Sequence, residues 1–192
     1  MFLRENEVVR KLAPWLAAGE TFLDLGAGTG LVARRLAHVT GASPTLCDAF
    51  EFDNRIELPT LQQTDPLRVP AEDRAFDTVV MCFVLHHIPN WEDQLVVANE
   101  AMRVARKRVL VLEDTPFNKI DLLFNKGWDW VLNQRHGIPV PFTFRSREEW
   151  TYLFSENGYR VNHTESYRPK WPTLGMYHHT LFVLDRRSGG ER

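Results

Sequence analysis

Cysteine is scarce in this chain, and long apolar runs are missing. Cys47 and Cys82 are the only two cysteines, too few for a disulfide framework. Nowhere in the 192 residues do about eighteen apolar residues follow one another, so the sequence predicts no membrane span. The first residues also lack the basic and then apolar pattern of a secretory leader. Together these absences favour a protein of the reducing cytoplasm.

Positive charge is not concentrated in any part of the chain. The 23 Lys and Arg residues are balanced by 25 Asp and Glu residues, which gives a formal net charge of -2. No basic stripe indicates nucleic acid, and no polybasic end indicates an anionic membrane. We therefore expect a small-molecule partner. The length predicts a single domain, residues 1–192, with a sizeable core.

Apolar strands alternate with amphipathic helices, which predicts an α/β fold. The segment "TFLDL" is predicted as the first strand, followed by a glycine turn and the helix "LVARRLA", and "LQQTD" is a weak third strand at an edge. The nearly unbroken apolar run "FDTVVMCFVL" predicts a central strand buried on both faces. Of the last two strands, "RVNHTESY" is polar and "HTLFVL" is apolar, so the final strand should lie inside the penultimate one.

Residues 116–145 are predicted to carry a helix after the strand "RVLVLED". Thr115 is its expected cap, and Pro116 its first residue, because proline has no amide to leave unpaired there. Apolar residues then recur every three or four positions as one helical face: Phe117, Ile120, Phe124, Trp128 and Val131. We expect most of its aromatic stripe, Phe117, Phe124 and Trp128, to be core.

The stretch "LDLGAGTG", Leu23 to Gly30, contains the end of the first predicted strand and the glycine turn that leads into the helix "LVARRLA". Such a turn offers backbone amides and a helix N-terminus, which favour the negative groups of a nucleotide-like ligand. Counted from Gly28, the sequence has Gly28, Gly30 and Ala33, an allowed variant of the dinucleotide fingerprint, with Asp48 where a ribose carboxylate would stand. A nicotinamide cofactor therefore stays open on the glycines alone.

Asp24 lies within the strand directly before the turn. A carboxylate there is a poor neighbour for a pyrophosphate and suits a ligand with cationic groups, such as the sulfonium and ammonium of S-adenosylmethionine. Here the sequence resembles the class I S-adenosylmethionine-dependent methyltransferases, and among them the ubiquinone and menaquinone biosynthesis group. The resemblance covers roughly Leu12 to Leu184, and it rests on "LDLGAGTG", Asp48, "DPLRVPAEDRAFDTVVMCFVLHHI" and the terminal "MYHHTLFVL".

The resemblance implies one doubly wound, Rossmann-like domain. Its seven-stranded, mostly parallel sheet would have the order 3-2-1-4-5-7-6, with the last strand antiparallel. It also implies S-adenosylmethionine as cofactor and methyl transfer by in-line displacement. Residues 116–145 join the strand ends and are rich in aromatic side chains, so we expect them to form a helical insertion on the substrate side, whose walls would suit a small, apolar or planar acceptor.

Site residues follow from the resemblance as well. Asp24 would lie near the ammonium, Asp48 would accept from both ribose hydroxyls, and Asp65, ending the third strand, would accept from the adenine amino group. Cys82 and Phe83 would border the cofactor and the acceptor. The remaining cofactor contacts would come from bare backbone and small residues: Gly26, Ala27, Gly28, Gly30, Ala49 and Pro66.

The histidines are candidates for acid–base chemistry. A base matters only if the acceptor must lose a proton, and His86, His87 and His136 are the candidates for it. Neighbours in an extended chain point opposite ways, so His86 and His87 are poorly placed to chelate one ion, and we expect no metal. A structural role for this pair is the favoured interpretation. We also expect His178 and His179 to be structural or to line a pocket.

Two other functions stay open on the sequence alone. One is a nicotinamide-dependent oxidoreductase that uses the variant glycine pattern. The other is a protein that binds S-adenosylmethionine without turnover and acts as a partner or regulator.

Overall fold

A computed structural model of the protein describes residues 2–133, 141–168 and 178–186. Within these residues seven strands form one sheet of order 3-2-1-4-5-7-6. Strands β1 to β5 pair in parallel, and β7 runs antiparallel to both β5 and β6. The predicted fold class and strand order are confirmed. The strands are β1 (Thr21–Leu25), β2 (Ser43–Asp48), β3 (Thr60–Gln62), β4 (Phe76–Cys82), β5 (Ala105–Asp114), β6 (Tyr159–Tyr167) and β7 (His179–Arg186).

Helices cover both faces of the sheet. They are α1 (Phe2–Leu12), α2 (Leu31–Thr40), α3 (Trp91–Val104), α4 (Lys119–Asn133) and α5 (Arg147–Glu156), with short 3-10 turns at Ala13–Trp15 and Leu85–His87. Asn90 caps α3 by accepting from the Asp93 amide, and Ser146 and Glu149 form a capping box on α5. None of the described helices has the length and apolarity that a bilayer crossing requires.

The side chains of β5 show how the core is divided. Val109 and Val111 belong to the apolar cluster that includes residues of α3 and α5, whereas Leu110 and Leu112 belong to the cluster that includes residues of α1 and α2. All four are at most 1% exposed. Because neighbours in a strand point to opposite faces, one apolar run supplies both cores.

Two strands are shorter than the sequence predicts. Strand β3 ends at Gln62, so Asp65 lies beyond it rather than at its end. Strand β4 ends at Cys82, and Phe83 has a positive φ of 60°, which turns the chain out of the sheet. The apolar residues after Cys82 therefore enter a 3-10 turn instead of extending the strand.

Helix α4 differs from its prediction in both its start and its burial. Oδ1 of Asn118 accepts from the amides of Ile120 and Asp121, at 2.9 Å each, so Asn118 replaces Thr115 as the cap and Pro116 lies outside the helix. The predicted aromatic core stripe is wrong for Phe117, which is 76% exposed, and Ile120 on the same predicted face is 69% exposed. Phe124 is also exposed, while the side chains of Trp128 and Val131 lie outside the described set. The helix instead buries polar Asp121 and Asn125.

Candidate active site at the carboxyl edge of the sheet

The glycine turn after β1 needs glycine for both conformation and space. Gly26, Gly28 and Gly30 all have positive φ, of 77°, 54° and 78°. A Cβ on Gly26 would lie 2.4 Å from Cγ2 of Val84, and one on Gly30 would lie 2.7 Å from Cδ1 of Leu46. The turn is fixed by the amides of Gly26 and Ala27, which donate to the Cys47 carbonyl at 2.8 and 3.2 Å. Bare backbone is thus held at the edge of the sheet.

Asp24 is a buried carboxylate one residue before the end of β1. Asp24 is only 3% exposed. Burial, and to a smaller extent the nearby charge of Asp48, together raise the pKa of Asp24 to about 7. A carboxylate of this kind gains from a cationic neighbour and repels a pyrophosphate. The arrangement therefore fits a ligand with a sulfonium and an ammonium.

Asp48 ends β2 and joins the glycine turn to the next loop. Its Oδ2 accepts from the Gly28 amide at 2.7 Å, and its Oδ1 accepts from the Phe50 amide at 2.8 Å. Each carboxylate oxygen has a second lone pair, so both oxygens retain the capacity to accept from a ligand hydroxyl. Asp48 therefore has the acceptors that the ribose prediction requires.

A cavity of about 320 Å³ opens beside Asp48. Its walls come from residues 48–53, Arg55 and residues 61–63. Ala49 lies in this lining as a predicted cofactor residue would, whereas the exposed Asp65 and Pro66 are outside it. Asp65 Oδ1 instead accepts from the Leu67 amide at 2.9 Å. Sequence reasoning missed the lining side chains of Phe52, Gln62 and Gln63, for which only proximity to Asp48 and to the third strand was a signal.

The chain leaving β4 contacts the glycine turn. Cys82 and Phe83 are half-buried there. The left-handed backbone of Phe83 is unusual for a residue with a side chain, and its ring lies edge-on to His179, with centroids 4.7 Å apart. Val84 follows, with its side chain over Gly26. Cys82 and Phe83 thus lie between the glycine turn after β1 and the histidine that opens β7.

His86 is buried and held by Glu113, at the end of β5. Its Nδ1 lies 2.6 Å from Oε2 of Glu113, and its ring stacks on Phe144. Oε1 of Glu113 accepts from the amides of Val84 and Leu85, at 2.9 and 2.7 Å. Because Glu113 accepts from these two amides, it holds the chain after β4 in a 3-10 turn. His86 is 2% exposed and so has little access to a substrate.

His87 and His136 remain to be placed. His87 is half-buried and its ring centroid lies 4.2 Å from that of His86, so the expectation that the two side chains diverge is wrong, because they share a 3-10 turn rather than a strand. His136 lies outside the described residues. In the described ranges no three metal-ligating side chains are grouped as a metal site would be.

Two further histidine–carboxylate pairs lie at the same edge. His179, which opens β7, pairs with Asp114, which ends β5, and His178 Nδ1 lies 2.7 Å from Oδ2 of Asp121 on α4. Sequence reasoning named both histidines but missed their partners. The consecutive acids at the end of β5 and the consecutive histidines opening an adjacent strand were the available signal.

Comparison with known proteins agrees with this geometry. Residues 2–164 match the model of a family described as a methyltransferase domain, so the chain belongs to the methyltransferase domain family. An uncharacterized methyltransferase from Anoxybacillus flavithermus is 25% identical over 116 residues, which are 58% of this chain and 52% of that protein. The match thus spans about half the length of that relative.

Solved structures share the fold at low sequence identity. One is the methyltransferase component of a Haloferax volcanii complex with a methyltransferase activator, with a TM-score of 0.71, 17% identity and coverage of 98% of this chain and 95% of that one. Another is a SAM-dependent methyltransferase from Methanosarcina mazei, with a TM-score of 0.70, 14% identity and coverage of 92% and 96%. The cofactor of methyltransferase domains with this fold is S-adenosylmethionine.

Proposed function

We propose that the protein transfers a methyl group from S-adenosylmethionine to a small, apolar or planar acceptor in the cytoplasm. The observation that carries the acceptor class is a row of rings at the carboxyl edge. Phe83, His179 and Tyr167 follow one another with centroid separations of 4.7 and 5.3 Å. Ligands of open α/β sheets bind at this edge, and ring walls favour flat, apolar molecules.

Asp24 and Asp48 are the residues proposed to hold the cofactor. When bound, S-adenosylmethionine supplies a methyl group activated by the positive charge on sulfur. Asp24 balances the cationic part of the ligand, and Asp48 accepts from the ribose hydroxyls. The turn from Gly26 to Gly30 lets the ligand approach the backbone, and the cavity beside Asp48 takes the nucleoside base. The ubiquinone and menaquinone subgroup remains a prediction.

Positioning is the main catalytic contribution that we assign to the chain. Holding two reactants in line can supply roughly 7 to 11 kcal/mol in favourable cases. Glu113 and the turn at Leu85–His87 shape the wall between cofactor and acceptor, so we assign His86 a positioning role. His87 and His136 stay candidates for a base, as does a substrate-side role for residues 116–145.

The first experiment is calorimetric titration with S-adenosylhomocysteine and, separately, with NADH. We expect the wild-type protein to bind S-adenosylhomocysteine and not NADH. Preferential binding of NADH would replace this proposal with an oxidoreductase.

The acceptor class is tested with radiolabelled S-adenosylmethionine and a fractionated cell extract. We expect label to pass into organic solvent and through a small-pore filter, and to stay in the aqueous donor when heat-treated enzyme is used. Label retained on macromolecules would contradict the small acceptor. No transfer to any fraction, despite tight cofactor binding, would favour a binding protein without turnover.

A further inference from the structure

Asn125 is a buried amide whose polar atoms lack a partner in the described part of the chain. The residue is 2% exposed, and neither Nδ2 nor Oδ1 makes a hydrogen bond there. Buried side-chain amides are nearly always paired, because burying one unpaired costs stability. An unpaired buried amide is therefore available to bind a polar group of a ligand.

Asp121 lies one helical turn before Asn125 on the same side of α4. Residues four apart on a helix are neighbours, so the two polar side chains are adjacent. Asp121 is 5% exposed, and its Oδ2 accepts from the Phe117 amide at 3.1 Å and lies 2.7 Å from Nδ1 of His178. The inner face of α4 thus places a carboxylate against His178, just before β7, and an open amide one turn further along the helix.

The hydrogen bonds of His178 define its tautomer. Nε of Arg168 lies 2.8 Å from Nε2 of His178. Arginine only donates, so Nε2 is the accepting nitrogen, and Nδ1 carries the proton that it donates to Asp121. The His178 carbonyl also accepts from the Thr115 amide at 2.9 Å, which fixes this residue at the end of β5.

His178 is also the most accessible histidine of the three pairs. Its side chain is 19% exposed, compared with 2% for His86 and 1% for His179. Arg168, which occupies Nε2 here, is exposed, so another donor can replace it without leaving a buried charge. The ring of Phe117 lies 5.7 Å from that of His178 and supplies an apolar flank.

We infer that Asn125 and His178, with Asp121 as a positioning residue, form the polar end of the acceptor site and select a planar acceptor with an ionisable hydroxyl, such as a phenol or enol. This rests on the proposed methyltransferase function. Nδ2 of Asn125 donates to the acceptor oxygen, and Nε2 of His178 takes its proton. The oxygen then forms the bond to the methyl carbon, while the carbon–sulfur bond of the donor breaks and leaves its electron pair on sulfur.

The test uses 4-nitrophenol as the probe, because its absorption distinguishes phenol from phenolate. With S-adenosylhomocysteine bound, we expect the wild-type protein to bind the probe and raise its phenolate fraction. His178→Gln should reduce that signal at least tenfold, whereas His163→Gln, a half-buried histidine on β6, should not change it. An equal signal in His178→Gln and wild type would overturn the inference. Failure of wild type to bind S-adenosylhomocysteine would instead reject the proposed function.

Asn125→Leu separates an effect on ligand binding from an effect on folding, because we expect stability to rise and probe binding to weaken. Removing an unpaired buried amide should raise the melting temperature, and it should weaken 4-nitrophenol binding at least tenfold. A lower melting temperature with unchanged probe binding would show a purely structural amide and overturn this part.

Asp121→Asn tests the positioning role through the tautomer of His178. In ¹⁵N-histidine NMR spectra of wild type we expect a protonated Nδ1 and an unprotonated Nε2. In the variant, the asparagine amide can donate to Nδ1, so we expect the proton to move to Nε2 and the phenolate signal to be lost. If the wild-type spectra show a neutral His178 imidazole with its proton on Nε2, the role of His178 is contradicted.

Discussion

The two halves of the carboxyl edge are built in different ways. On the β1–β2 side the polar groups are backbone amides and two carboxylates, with the Asp48 oxygens accepting from amides of nearby loops. On the β5–β7 side each carboxylate pairs with a histidine from a distant element, as in Glu113 with His86. A site made of backbone amides and single carboxylates suits a ligand that is the same across many proteins of one fold. Paired side chains can differ from one such protein to the next and so suit different acceptors.

Val84 links the two halves. Its amide donates to Glu113, near the end of β5, and its side chain lies over Gly26 in the glycine turn. A change that loosens the Glu113 pair should therefore also disturb the glycine turn.

Glu113→Ala should have the largest effect on stability. The change leaves buried His86 and the amides of Val84 and Leu85 without their acceptor, and breaking a buried pair of this kind costs about 3 to 5 kcal/mol. Chemical denaturation measures the free energy of unfolding. As control, Glu165→Ala removes the partner of Lys11 in a part-exposed pair, which should cost less than about 1 kcal/mol. Equal losses would mean that Glu113 does not organise the edge.

Asp24→Asn should stabilise the free protein and weaken cofactor binding. The folded pKa of about 7 lies above the ordinary 3.8, so the cost of ionising Asp24 is absent below the ordinary value, grows as the pH rises from 3.8 towards 7, and is fully present above 7. At about pH 8 we expect a gain of about 2 to 4 kcal/mol, and almost none at about pH 4. Thermal unfolding at the two pH values measures it. A gain that is equal at both would contradict the raised pKa.

Gly26→Ala should reduce cofactor affinity through both strain and crowding. The new Cβ would clash with Val84, and alanine would have to adopt a left-handed backbone conformation. Together these effects should destabilise the native conformation of the turn by about 2 to 3 kcal/mol and so weaken cofactor binding. Gly19→Ala is the matched control, since Gly19 has a φ of 80° but open space around its Cβ. Calorimetry with S-adenosylhomocysteine should show a loss only for Gly26→Ala. Partial recovery in Gly26→Ala with Val84→Ala would confirm the contact between the halves.

Asp48→Ala should weaken S-adenosylhomocysteine binding by about 1 to 3 kcal/mol, because hydrogen-bonding groups of the ligand and the loop lose their acceptor. Glu57→Ala, which removes an exposed carboxylate outside the cavity lining, should shift it by less than about 0.5 kcal/mol. Unchanged affinity in Asp48→Ala would remove the ribose role from this residue.

The fold and the β1–β2 side of the carboxyl edge were predictable because their signals are local. The glycine turn and Asp24 are contiguous, and apolar runs show which strands are buried on both faces. The pairs on the β5–β7 side were not predictable, because Asp121 and His178 are brought together only by the fold. The burial of α4 was mispredicted for a related reason: helical periodicity predicts that one face is apolar, but here Asp121 and Asn125 face inward.

A crystal structure of the protein with S-adenosylhomocysteine tests the central claim most directly. We expect the nucleoside beside the turn from Gly26 to Gly30, with its ribose hydroxyls within hydrogen-bonding distance of the Asp48 carboxylate and its amino-acid part near Asp24. A nucleoside bound at another edge of the sheet, or Asp48 without a contact to the ribose, would contradict the account.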